Sequence, residues 1–138
     1  MLNLFDFFIS NKYYEKNMIS INKRYYPKYQ PKSTKFRDTN GEYHNPNWAA
    51  VIKWHPNGQL YCKEYYNHGL LHNINGPAVS AWYENGNLLC EEYLINGEYH
   101  NDKGFSSIIY YENGNIKSTS KHINGELLEY KEYKEYKE

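Results

Sequence analysis

Short runs of apolar and aromatic residues alternate with polar ones along the chain, and the runs break at evenly placed glycines. Ala50-Val-Ile-Lys-Trp-His55 leads into Pro56-Asn57-Gly58, and Gln59-Leu-Tyr-Cys-Lys-Glu-Tyr-Tyr66 follows. Two β-type runs around a Pro-Asn-Gly loop predict a hairpin. Proline pre-sets φ for the first central position of a type I turn, and glycine takes the left-handed position that closes a three-residue loop. Glu84-Asn85-Gly86 and Glu112-Asn113-Gly114 occupy the same place in later segments.

The spacing is constant. Gly41, Gly69, Gly97 and Gly125 stand 28 residues apart, as do Gly58, Gly86 and Gly114; Trp54, Trp82 and Tyr110; Leu60, Leu88 and Ile116; and His44, His72 and His100. Such self-similarity predicts a repeat architecture. The expected fold is all-β: a single-layer antiparallel sheet of stacked hairpins with a 28-residue unit, preceded by a non-repeat N-terminal segment. Three regions follow: an arm or cap over 1–37, a hairpin-repeat domain over 38–128 and a charged low-complexity tail over 129–138. Ser33–Asp38 reads as the second strand of a degraded unit, with Tyr25-Tyr26-Pro27 left from its first. Residues 1–24 fit no unit and leave room for a short helix; the tail, Tyr130-Lys-Glu-Tyr-Lys-Glu-Tyr-Lys-Glu138, has a period of three and is expected to fray.

The loop predicts a register in which His55 pairs with Gln59, Trp54 with Leu60, Ile52 with Cys62 and Ala50 with Glu64. One face then carries Trp54, Leu60, Ile52 and Cys62, and keeps its character in later units. The opposite face, with Lys53, Tyr61 and Lys63, drifts and is the one left for solvent or partners.

The 138 residues suit one domain. Sixteen Lys and Arg balance sixteen acids overall, yet residues 1–37 hold eight basic and two acidic residues, and 38–138 hold eight and fourteen. A basic arm on an acidic body is implied. Seventeen tyrosines and frequent Asn and Lys resemble proteins of AT-rich genomes, such as large DNA viruses or low-GC bacteria. No apolar run is long enough for a transmembrane helix. The apolar stretch Met1–Ile9 lacks a basic start and carries Asp6, so it reads as a cap on the array rather than a signal peptide, and an intracellular or virion location is expected.

Candidate chemistry is sparse. His44, His72 and His100 occupy one position in successive units, roughly 10 Å apart at two strand spacings, too far to share a metal. Each is expected to donate a hydrogen bond that pins its own linker turn. Cys62 and Cys90 are separated in the same way, beyond disulfide reach, which predicts free thiols and a reducing compartment. Glu64 and Glu92 recur without a third group or a cleft. No nucleophile motif or phosphate loop occurs, so no enzyme, metal or cofactor is expected.

The residues Trp54 to Tyr66, Gly69, His72 and Gly76-Pro77-Ala78, repeated as Trp82 to Tyr93, Gly97 and His100, resemble the MORN-repeat variant of bacterial, phage and large-virus proteins. The resemblance covers about 41–126 and implies an elongated sheet of hairpins that serves as an interaction or scaffold module; one bacterial branch of such proteins contains antitoxin or immunity members. The Gly-Pro-Ala corner occurs once, and Asn follows each of the three histidines where many relatives carry Arg. Tyr61, Tyr65, Tyr83, Tyr93 and Tyr111 are the expected partner-binding side chains. The leading expectation is a non-catalytic protein–protein interaction or assembly module, through another protein or self-association. An immunity protein that neutralises a toxin is the second, and nucleic-acid binding through the basic arm, with tyrosines to stack bases, the third.

Overall fold

The computed structural model describes residues 18–26 and 31–135. These residues are all-β, with no helix among them. Thirteen strands are present: β1 (Met18–Tyr25), β2 (Pro31–Asp38), β3 (Val51–Trp54), β4 (Leu60–Glu64), β5 (Tyr66–Asn67), β6 (Leu70–Leu71), β7 (Val79–Trp82), β8 (Leu88–Glu92), β9 (Leu94–Ile95), β10 (Glu98–Tyr99), β11 (Ser107–Tyr110), β12 (Ile116–Ile123) and β13 (Glu126–Glu132). Nine of them form one antiparallel sheet in the order β1-β2-β3-β4-β7-β8-β11-β12-β13, while β5 pairs with β6 and β9 with β10 in two small ribbons.

The large hairpins turn as the loop chemistry predicts. The Gly58 N–H bonds the His55 carbonyl at 2.9 Å and the His55 N–H bonds the Gln59 carbonyl at 2.8 Å. Gly58, Gly86 and Gly114 have φ of +86°, +88° and +89°, which side-chain-bearing residues resist. The turns between β5 and β6 and between β9 and β10 add a second positive-φ residue, His68 at 45° and Asn96 at 50°, ahead of Gly69 and Gly97. Two successive positive φ values match the right-handed strand twist in a two-residue loop.

The register differs from expectation beyond the first rung. Trp54 does lie opposite Leu60, but Lys53 then faces Cys62, Ile52 faces Lys63 and Val51 faces Glu64. Tyr61 is an extra residue, and Leu89 and Lys117 are extra in the same way. A one-residue bulge flips every side chain beyond it to the other face. Cys62, Cys90 and Ser118 therefore lie opposite Lys53, Ala81 and Ile109, and the face expected to group Ile52 with Cys62 is split.

The tightest packing sits where the large sheet passes into the small ribbons. Ala50, Ala78 and Ser106 are fully buried, beside Val51 and Leu94. Their N–H groups bond the carbonyls of Glu64, Glu92 and Ser120 at 2.9, 2.7 and 2.8 Å. Their own carbonyls accept the N–H groups of Phe36, Tyr65 and Tyr93 at 2.8, 2.7 and 2.7 Å, so each small residue is bonded on both sides.

Both ends of the sheet differ from the sequence reading. Residues 18–24, within the stretch left for a short helix, belong to strand β1, and residues 1–17 lie outside the described set. The tail is paired as far as Glu132: β13 runs along β12 with Ser118 opposite Glu132 and Ser120 opposite Tyr130. Period three gives no buried face, and every residue of β13 is exposed. Backbone pairing, which needs no side-chain pattern, holds the strand instead.

Candidate interaction surface

Of the five tyrosines singled out for partner binding, Tyr61 is exposed at its bulge, its ring centroid 4.9 Å from that of His55. Tyr65, Tyr83, Tyr93 and Tyr111 are half-buried. Two of them tie hairpins together. The Tyr83 hydroxyl donates to the Tyr110 carbonyl at 2.9 Å and the Tyr111 hydroxyl to the Tyr133 carbonyl at 3.0 Å. His55, 28 residues before Tyr83, makes the matching contact from Nε2 to the Trp82 carbonyl at 2.8 Å. The turn asparagines do likewise: Asn57 accepts the Gln59 N–H and donates to the Glu84 carbonyl, and Asn85 accepts the Asn87 N–H and donates to the Glu112 carbonyl.

The histidine series also joins neighbours, with its polarity opposite to expectation. The backbone N–H groups of His68, Asn96 and Asn124 donate to Nδ1 of His44, His72 and His100 at 3.2, 3.1 and 3.2 Å. Each histidine accepts, and the turn it holds belongs to the next hairpin. The residues just before Gly69, Gly97 and Gly125 need a positive φ, and their N–H groups point back at the preceding histidine. Acceptance at Nδ1 requires that nitrogen to be unprotonated. Burial, and then the neighbouring His68, lowers the basicity of His44.

At the first of these turns His44 and His68 stack with ring centroids 3.9 Å apart, and His68 Nδ1 meets Asp38 Oδ2 at 2.5 Å. Asp38 Oδ1 accepts the Asn40 and Glu42 N–H groups. The His68 hydrogen bond leads the causes that hold the Asp38 carboxyl below its ordinary value. Ligand-type atoms of Asp38, Glu42 and His68 lie within 4.8 Å of one another, a donor set that could hold a cation. The sequence reading missed this cluster, because His68 reaches Asp38 only through hairpin stacking. Both Asp38 oxygens are already engaged, Oδ1 within its own turn and Oδ2 by His68.

A second polar group sits on the sheet. Lys53 Nζ meets Glu64 Oε1 at 2.7 Å, Tyr66 donates to Oε2 at 3.0 Å and the Cys62 thiol lies 3.4 Å from Oε1. Burial pushes the Glu64 carboxyl up, but the Lys53 contact outweighs it and the group is held below its ordinary value. Burial pushes the Cys62 thiol up to about 12 and the Cys90 thiol up to about 11. Both are free thiols, and Ala81 separates them in the ladder. Val79 separates Glu64 from Glu92 in the same fashion.

The basic side chains of β2 are partly occupied. Arg37 lies 3.9 Å over the Tyr43 ring and donates to the Gly41 carbonyl at 2.6 Å, Lys35 lies 5.7 Å from the Tyr43 ring, and Lys32 lies 5.3 Å over Tyr26. Five of the large apolar side chains that stay exposed lie on the end strands, Ile21 and Tyr25 on β1 and Leu127, Leu128 and Tyr130 on β13, while Trp48, Tyr61, Leu70, Ile74 and Ile116 are exposed elsewhere. No described helix is long and apolar enough to cross a membrane. No family model, curated protein or solved structure matches the chain.

Proposed function

We propose that the chain is a non-catalytic hairpin-repeat module, built on a 28-residue unit of the MORN-like kind, that works by binding protein, either a partner or its own copies. The observation that supports this most is the open sheet. Among the described residues β1 and β13 each have a strand on one side only, and their outer edges offer backbone donors and acceptors beside exposed Ile, Leu and Tyr. The polar groups are largely engaged in joining one hairpin to the next, which suits a rigid platform better than a reacting centre. Nucleic-acid binding through residues 1–37 is the weaker reading, because Lys32, Lys35 and Arg37 already stack on tyrosines of the same chain.

The test is capture from host lysate with the full chain as bait, alongside sedimentation of the purified protein. Specific protein capture or self-association is expected. A chain that captures no protein above control and sediments alone, yet retains single-stranded nucleic acid in a salt-dependent way, would overturn the proposal in favour of the basic arm.

A further inference from the structure

We infer that β13 is a self-association edge: it pairs antiparallel with β13 of a second copy about a two-fold axis through Tyr130. This deepens the assembly reading above and rests on it. The Tyr133 N–H bonds the Lys117 carbonyl at 2.9 Å, so the ladder alternation turns Lys131 and Glu129 toward β12 as well. The backbone groups of Tyr130 and Glu132 then point to the open side, as a strand-addition edge needs.

Charge selects the second copy and the register. A charged edge normally repels added strands. Centring the pair on Glu129 sets that carboxylate against itself, and centring it on Lys131 sets two ammonium groups together. Centring on Tyr130 places each Glu129 opposite Lys131 of the other copy, twice by symmetry, with Tyr130 against Tyr130 between them. Opposite charges directly across a strand pair attract and like charges repel. The same register covers Tyr130, 57% exposed in the single chain, and brings Leu128, 55% exposed, opposite Glu132. The interface is isologous, so one strand supplies both halves.

Sedimentation or light scattering of the full chain should give twice its 16.6 kDa mass. Glu129→Lys and Lys131→Glu should each weaken the pair about tenfold, and mixing the two variants in equal amounts should recover a heterodimer. Recovery on mixing isolates the contact between copies, because Glu129 also lies opposite Lys121 in its own sheet and mixing leaves that contact unchanged. Tyr130→Pro removes an edge N–H that β12 does not use, so it should keep the circular-dichroism spectrum and abolish the dimer. A wild-type monomer, single variants that stay apart on mixing, or a Tyr130→Pro dimer would each overturn the inference. A monomer that still captures a protein partner leaves the broader assembly reading standing.

Discussion

Lys53→Met tests whether the polar group on the sheet is a coupled unit. Lys53 and Glu64 sit diagonally across β3 and β4, since Lys53 faces Cys62 and Glu64 faces Val51. Their contact is 2.7 Å, with side-chain exposures of 36% and 16%. A hydrogen bond to a charged group contributes about 1.5–3 kcal/mol, but the exposure of Lys53 moves the pair toward the roughly 0.2–1 kcal/mol of surface ion pairs. A coupling of about 1 kcal/mol results. Met keeps most of the apolar stem and removes the charge, leaving Glu64 with Tyr66 and Cys62, so the single change should cost about 1–2 kcal/mol. Glu64→Gln should cost about 1 kcal/mol, and the double variant should lose about 1 kcal/mol less than the sum. Urea unfolding followed by the fluorescence of Trp54 and Trp82 measures all four proteins. Acid supplies an independent reading. The Glu64 carboxyl is held below its ordinary value of 4.5, so its stabilisation is complete above that pH and is lost as pH falls through the lowered value. Without Lys53 the depression of the Glu64 carboxyl shrinks, and less stability should be lost as the pH falls below 4.5. A coupling within about 0.3 kcal/mol of zero, with an unchanged acid limb, would mean that Lys53 and Glu64 are not a coupled unit.

Gly114→Ala should destabilise by about 1 kcal/mol in thermal or urea melts: open space surrounds its Cβ position, so backbone strain at φ +89° acts alone. Gly76→Ala, where φ is not positive, should be nearly neutral in the same assay. His72→Phe removes the acceptor for the Asn96 N–H, and that amide should exchange with deuterium about tenfold faster by NMR. Because the basicity of His44 is lowered from its ordinary 6.5, its contribution is present above that pH and lost below it. The urea midpoint should therefore fall between about pH 7.5 and about pH 5, and fall less in His44→Gln. With thiols pushed up to about 12 and about 11, Cys62 and Cys90 should resist iodoacetamide in the native protein at mildly alkaline pH and react once it is unfolded in urea.

The hairpins were legible because turn chemistry is local: Pro56-Asn57-Gly58 specifies its own loop whatever surrounds it. The register was not, since the bulges fall on Tyr61, Leu89 and Lys117, three unlike side chains with no glycine among them. Ala50, Ala78 and Ser106 stand 28 residues apart, but what buries them is bonding on both sides to strands that only the folded sheet brings together. The histidine series showed its positions and hid its polarity, because the donor lies 24 residues on in another hairpin. Asp38 and His68 meet for the same reason, and β13 pairs through backbone groups that no side-chain period reveals.

The count of strands in the large sheet has a consequence for growth. Among the described residues every neighbouring pair is antiparallel, and nine strands make the first and last of them run in the same direction. A copy laid end to end by pure translation would meet β13 with a parallel strand, changing the hydrogen-bond pattern at every seam. An antiparallel seam between β13 and β1 would instead require each copy to be turned over, exchanging the two faces along the row. The odd parity thus works against a uniform ribbon of unlimited length, and a sheet with one strand more or fewer would lack that safeguard.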